Sequence, residues 1–249
     1  MKAIRNIKTH VKEFKNRLLR VLAGFFGLFF FCFYFSKEIF LVLAMPLKDT
    51  LKAQGLVPEM IYTNPLEAFS TYMDVAFFGA LFLVFPYLEW EIWRFMSPGL
   101  LKKEKKNWGP FLVLFPCLFI IGGLFSYWII IPTVWTFFIQ FSAPTSEEFS
   151  IRLLAQMGEY LAITMKFIFT FGLCFQLPLI MLLLAHIGFG SAAFFVEKRR
   201  FVVVGIFFAA ALLTPPDVFS QIMLALPLWA LYELSIVVIK LKEKSNYHA

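Results

Sequence analysis

The sequence predicts an all-α polytopic membrane protein, and three observations carry that prediction. Apolar residues make up 60% of the 249-residue chain, which holds 34 Phe. They gather into unbroken runs, most of which reach the roughly 20 residues a helix needs to cross a hydrocarbon core of about 30 Å. Dense charge is confined to the segments between the runs and to the ends. A soluble domain could not keep this much apolar surface out of water. Transmembrane strands would alternate polar and apolar residues over segments of about ten residues instead of running unbroken.

Six spans are expected, at 18–35, 72–93, 108–141, 160–187, 201–213 and 218–239, in one membrane domain covering 1–249. The first follows a basic N-terminal segment, 1–17. The outer segment after it is mostly polar and contains Pro58 and Pro65, so short helices forming a cap are expected there. The third span would measure about 50 Å if wholly helical, and Pro110, Pro116 and Pro132 are expected to kink it. Ser146-Glu147-Glu148 reads as an N-cap with acids in the first turn, opening a helix that continues into the fourth span. The fifth span is only about 20 Å long. It ends at Thr214-Pro215-Pro216-Asp217, a break that no helix continues through. Either the bilayer thins there or flanking residues complete the crossing. Long, kinked helices beside short ones point to a curved, concave wall.

Charge orients the chain. Lys2, Arg5, Lys8, Lys12, Lys15, Arg17 and Arg20 precede or open the first span. Arg94, Lys102, Lys103, Lys105 and Lys106 follow the second, Lys198, Arg199 and Arg200 precede the fifth, and Lys240, Lys242 and Lys244 lie in the tail, 240–249. The opposite side carries Lys37, Lys48, Lys52 and Arg152. Both termini are therefore expected on the cytoplasmic side. The net charge of +7 hugs the span ends, where anionic lipid attracts it, and this argues against nucleic-acid binding. No cleavable signal peptide is expected, because no A-x-A site follows the first span. Cys32, Cys117 and Cys174 all fall inside spans and read as small apolar fillers, with neither a disulfide nor a metal site expected.

Three polar positions stand out at membrane depth: Lys166, Gln176 and His186. Lys166 either snorkels to the interface or acts within the span. Gln176 precedes Leu177-Pro178, where it serves as helix–helix glue or as a polar contact for a substrate or partner helix. His186 reads as a solvated boundary residue. On the cytoplasmic side, Glu13 and Glu104 each stand amid lysines. They either balance local charge or accept an incoming guanidinium, which a carboxylate takes bidentately. Asp217 reads as a cap for the last helix or as part of a partner-binding hairpin with Pro215 and Pro216. No phosphate loop, metal spacing, nucleophile elbow or intramembrane protease arrangement is found, so no enzymatic chemistry and no cofactor are expected.

Several stretches, in order and at matching spacing, resemble the TatC family, the multi-spanning core of the twin-arginine protein translocase. The sharpest is Leu213-Thr214-Pro215-Pro216-Asp217-Val218-Phe219-Ser220-Gln221, followed by Leu226-Pro227 and Tyr232-Glu233. Others are His10-x-x-Glu13-x-x-x-Arg17-Leu18-Leu19, Met45-Pro46-Leu47, Trp93-x-Phe95-x-x-Pro98-Gly99-Leu100-x-x-x-Glu104, and Tyr160-Leu161 through Phe175-Gln176-Leu177-Pro178.

The resemblance implies six helices in a glove-like arrangement in the bacterial inner membrane. It also implies a receptor for twin-arginine signal peptides of folded cargo, working with single-span TatA- and TatB-type subunits. Homo-oligomerisation within the complex and use of the proton-motive force are implied too. Glu13 and Glu104 map onto the signal-peptide patch, with Phe95 and Pro98 shaping it. Two departures are visible: Phe14-Lys15 stands where the family often has Leu-Arg, and Gln176 where it often has Glu. A neutral amide carries no proton, so an obligatory protonation step at this position is not expected. The alternative class is a small-solute secondary transporter, for which the usual internal repeats and paired broken helices are not detected.

Overall fold

The computed structural model describes residues 2–96, 102–141, 155–186, 188, 190–214 and 217–247, with side chains described within 12–95, 112–140, 155–186, 188, 190–214 and 217–244. Its elements are α1 (Lys2–Tyr34), α2 (Ser36–Ala53), β1 (Met60–Ile61), α3 (Pro65–Met96) and α4 (Lys102–Phe125). A π-turn (Ser126–Ile130) leads into α5 (Ile131–Phe141). There follow β2 (Ala155–Gln156), α6 (Met157–Cys174), α7 (Leu177–His186), α8 (Ala192–Leu213) and α9 (Val218–Tyr247). Among the described residues five stretches are long and apolar enough to cross a membrane: Lys12–Tyr34, Pro65–Phe95, Leu112–Gln140, Met157–His186 and Val218–Lys244. α8 is not among them, because Glu197, Lys198, Arg199 and Arg200 occupy its first half and leave only the short apolar run expected for the fifth span.

The chain gathers into two compact units, one of residues 1–43 and 62–116, the other of 44–61 and 117–249. In the first, α1 and α3 run antiparallel along their length. Phe14 meets Phe95, Phe25 meets Phe77 with ring centroids 5.3 Å apart, and Gly79 packs against Cys32. The start of α3 is dictated locally. Asn64 Oδ1 accepts from the Leu66 N–H at 3.0 Å, Pro65 sits at the first helical position, and Glu67 reaches back to the Thr63 N–H at 2.8 Å. This is a capping arrangement that satisfies otherwise orphaned donors. It starts the helix seven residues before the expected span.

Helix continuity is interrupted at two points further along the chain. The helix continues through Pro110 and Pro116, and the irregularity falls at the π-turn, whose last bond runs from the Ile131 N–H to the Ser126 carbonyl. Widening the helix there accommodates Pro132, which has no N–H to offer. The fourth span is not one helix. α6 stops at Cys174, and Pro178, lacking the N–H that would bond the Cys174 carbonyl, forces a new start at Leu177. β1 and β2 pair in parallel, Met60 with Ala155 and Ile61 with Gln156. The expected N-cap at Ser146-Glu147-Glu148 lies outside the described residues.

α8 and α9 form an antiparallel hairpin. Tyr232 donates to the Phe195 carbonyl at 2.7 Å, Arg199 pairs with Glu233 at 2.6 Å, and the Ala192 N–H donates to Glu243 at 2.9 Å. α4 and α6 approach so closely that a Cβ at Gly122 would fall onto the Phe171 carbonyl oxygen, and one at Gly172 would lie 2.7 Å from the Phe119 ring. Small residues let membrane helices bring their backbones together, replacing a hydrophobic drive that lipid does not supply. Gly122→Leu should therefore lower stability by about 1–3 kcal/mol through overpacking, read as a lower thermal midpoint in detergent. Gly27→Leu, where an added Cβ meets nothing within 4 Å, should not lower it.

Candidate functional site

The polar centre of the first unit is Arg17. Its Nε and Nη2 both donate to Oε1 of Glu13, at 3.3 and 2.7 Å, one turn earlier on the same helix. Its Nη1 donates to Oε2 of Glu91 on α3 at 2.8 Å, and Nη2 also reaches the Arg94 carbonyl at 3.3 Å. Glu91 Oε1 accepts from Arg20 Nη1 at 3.2 Å and from the Tyr87 hydroxyl at 3.1 Å. Glu13, Arg17 and Arg20 recur at helical spacing on one face of α1, and Tyr87 and Glu91 do so on α3, so the antiparallel packing brings the two rows together.

Exposure divides the carboxylates. Glu91 is 3% exposed, whereas the Glu13 side chain is 38% exposed and the Arg17 side chain 11%. A buried charge is tolerated only when it is paired and hydrogen-bonded. Here two guanidinium groups face two carboxylates. Above them Phe14 and Phe95 meet edge to face, with centroids 5.9 Å apart. A cavity of about 330 Å³ opens beside the cluster, walled by Phe14, Leu18, Leu88, Ile92 and Phe95, with Arg17 and Glu91 also lining it. The arrangement combines a guanidinium-binding carboxylate, partly open to solvent, with an apolar recess.

Of the residues expected in the cytoplasmic patch, the structure brings Glu13 and Phe95 to this cluster. Glu104 lies on α4, its side chain outside the described residues, and Pro98 is outside them altogether. Glu91 was not singled out from the sequence, although it falls inside the expected second span and an ionisable group at membrane depth is a functional candidate by default. Its significance depends on Arg17, distant in sequence.

Gln176, buried at 4% exposure, stands at the break between α6 and α7. Its carbonyl accepts the Leu179 and Ile180 N–H groups at 3.0 Å, so it opens α7 as a cap residue does. Asp217 caps α9 through its Oδ1, which accepts the Ser220 N–H at 2.7 Å. Pro215 and Pro216 lie outside the described residues. Lys166 donates from Nζ to the Leu212 carbonyl at 3.4 Å. The ammonium thus sits at the C-terminal end of α8, where carbonyls lack helical partners and a cation is favoured. His186 lines a cavity with Lys242 and Glu243.

The family model described as "Sec-independent protein translocase protein (TatC)" matches residues 9–227. The chain belongs to the TatC family. It is 41% identical over 227 residues to the Sec-independent protein translocase protein TatC of Magnetococcus marinus, covering 91% of this chain and 81% of that one. It is 38% identical over 234 residues to the TatC of Rickettsia prowazekii, covering 94% and 92%. Among solved structures it is similar to the crystal structure of a twin-arginine translocase receptor TatC, with a TM-score of 0.79, 27% identity, and coverage of 93% of this chain and 98% of the other. Family membership sets aside the secondary-transporter alternative and places the chain among translocase components, not enzymes.

In this TatC-family chain, Glu91→Ala would leave Arg17 and Arg20 without the more buried of their acceptors. It should cost roughly 2–3 kcal/mol of stability, seen as a lower thermal midpoint. Glu91→Gln, which keeps two hydrogen-bonding atoms, should cost less.

Proposed function

We propose that this chain is the cargo-receptor core of a twin-arginine translocase and that it binds the paired arginines of signal peptides through Glu13 and Glu104 at the cytoplasmic face. What carries the reading is that Glu13, the more open carboxylate of the cluster, already holds a guanidinium, that of Arg17. A carboxylate set to hold one arginine has the geometry to hold another. The name of the similar solved structure, a twin-arginine translocase receptor, supports the same role. Phe95 and Pro98 would shape the patch, and the cavity beside Phe14 and Phe95 offers an apolar recess next to the charged contact.

In this reading the chain crosses the inner membrane six times with both termini cytoplasmic, α8 providing the short crossing. Single-span TatA- and TatB-type subunits assemble with it, several copies share one complex, and transport draws on the proton-motive force. The hairpin around Pro215, Pro216 and Asp217 would seat a partner helix, and Gln176 would offer that helix or the passing cargo a hydrogen bond within the membrane.

The reading is tested by binding of a signal peptide carrying Arg-Arg, against its Lys-Lys twin, to the wild type, Glu13→Gln and Glu104→Ala. The Arg-Arg peptide should bind the wild type at least about tenfold more tightly than the Lys-Lys twin. Either substitution should erase most of that difference. Equal binding of the two peptides by the wild type would end the receptor reading at this site. Gln176→Leu should reduce export of folded cargo while leaving the thermal midpoint nearly unchanged; undiminished export would remove Gln176 from the mechanism.

A further inference from the structure

We propose that Glu91 is a positioning residue for cargo recognition: it retains Arg17 when Glu13 is surrendered to an incoming guanidinium, and so sets the preference for arginine over lysine. This rests on the reading of Glu13 as an acceptor for a cargo arginine. The two bonds from Arg17 to Glu13 fall on a single oxygen, Oε1, whereas Arg17 Nη1 is held separately by Glu91. Arg17 is thus a resident arginine in the seat that a cargo arginine would take.

The two carboxylates are unequal in a way that suits an exchange. Glu13 is the more exposed partner, on the same helix as Arg17. Glu91 is buried, belongs to another helix, and is itself fixed by Arg20 and Tyr87. Were Glu13 its only acceptor, releasing it would strand a nearly buried guanidinium, at a cost that would block the exchange. With Glu91 in place, Arg17 keeps a charged partner and the Arg94 carbonyl while Glu13 turns to the cargo.

Selectivity follows from the same rivalry. Arg17 holds Glu13 with two donors of a planar fork, and a second fork replaces them donor for donor. A lysine ammonium is a compact point charge that is more strongly hydrated, and it offers no matching pair of parallel donors. It competes poorly against the resident arginine.

The experiment uses the full chain in membrane vesicles and the Arg-Arg and Lys-Lys signal peptides as probes. Binding is measured for the wild type, Glu13→Gln, Glu91→Gln and the double variant Glu91→Gln/Arg17→Gln, with thermal midpoints taken in parallel. Glu91→Gln should bind the Arg-Arg peptide about tenfold more weakly, because Glu13 is then the one charged partner left to Arg17 in the cluster and is given up less readily. The double variant, with no resident arginine, should recover most of that affinity yet bind the Lys-Lys peptide nearly as well, losing selectivity. A merely structural role would lower both peptides together with the thermal midpoint and would not be rescued by removing Arg17. Wild-type affinity in Glu91→Gln, or no recovery in the double variant, overturns the proposal. If Glu13→Gln itself binds and discriminates as the wild type does, the acceptor reading falls and this inference with it. If Glu13→Gln fails while Glu91→Gln behaves as wild type, only the inference falls.

Discussion

Inside a bilayer no water is available to satisfy a backbone N–H or C=O, and every other feature of this chain is arranged around that constraint. Helices meet it without outside help. Near their interruptions, side chains add hydrogen bonds to backbone carbonyls. At the π-turn, Thr133 and Thr136 donate their hydroxyls to the Ile129 and Pro132 carbonyls. At the break before α7, the Gln176 backbone bonds on both sides. At the end of α8, Thr214 bonds the Ala210 carbonyl, Lys166 reaches Leu212, and the Gln221 amide reaches Phe207. Polar side chains thus gather at these irregular points.

Charge obeys a harsher form of the same rule. The cluster around Arg17 joins α1 to α3 at one end of their contact, while aromatic and small-residue packing joins them further along. Pairing each guanidinium with a carboxylate keeps the cluster in place, and the difference in exposure between Glu13 and Glu91 gives it an open side and an anchored side.

Much of the fold was legible because its causes are local. The Pro-Pro break after Thr214, the short apolar run before it and the capping role open to Asp217 all depend on a few neighbouring residues, and the helices on either side end and begin there. The segment between the first two spans does hold a helix, α2, as its pattern indicated. The fourth span was drawn as one crossing because its hydropathy is continuous, with Leu177-Pro178 marked out beside Gln176, and α6 and α7 part at that point. The π-turn has no Pro or Gly of its own among Ser126, Tyr127, Trp128, Ile129 and Ile130, and it answers to packing against α6 and to Pro132 beyond it. In the candidate site, Glu13 and Phe95 were reached through motif resemblance. Glu91 was not, since only the antiparallel register of α1 and α3 reveals that it shares Arg17 with Glu13.

The small pairing of Met60 with Ala155 and Ile61 with Gln156 carries a temporal consequence. Its two halves are separated in the chain by everything from α3 to α5, so the earlier strand waits, unpaired, while several crossings are made. A ladder this short contributes little alone and pays the closure entropy of a long loop, so it forms last and opens first. Hydrogen exchange at these amides would then serve as a clock for assembly, distinguishing a chain whose helices have merely inserted from one whose connecting segments have closed on each other.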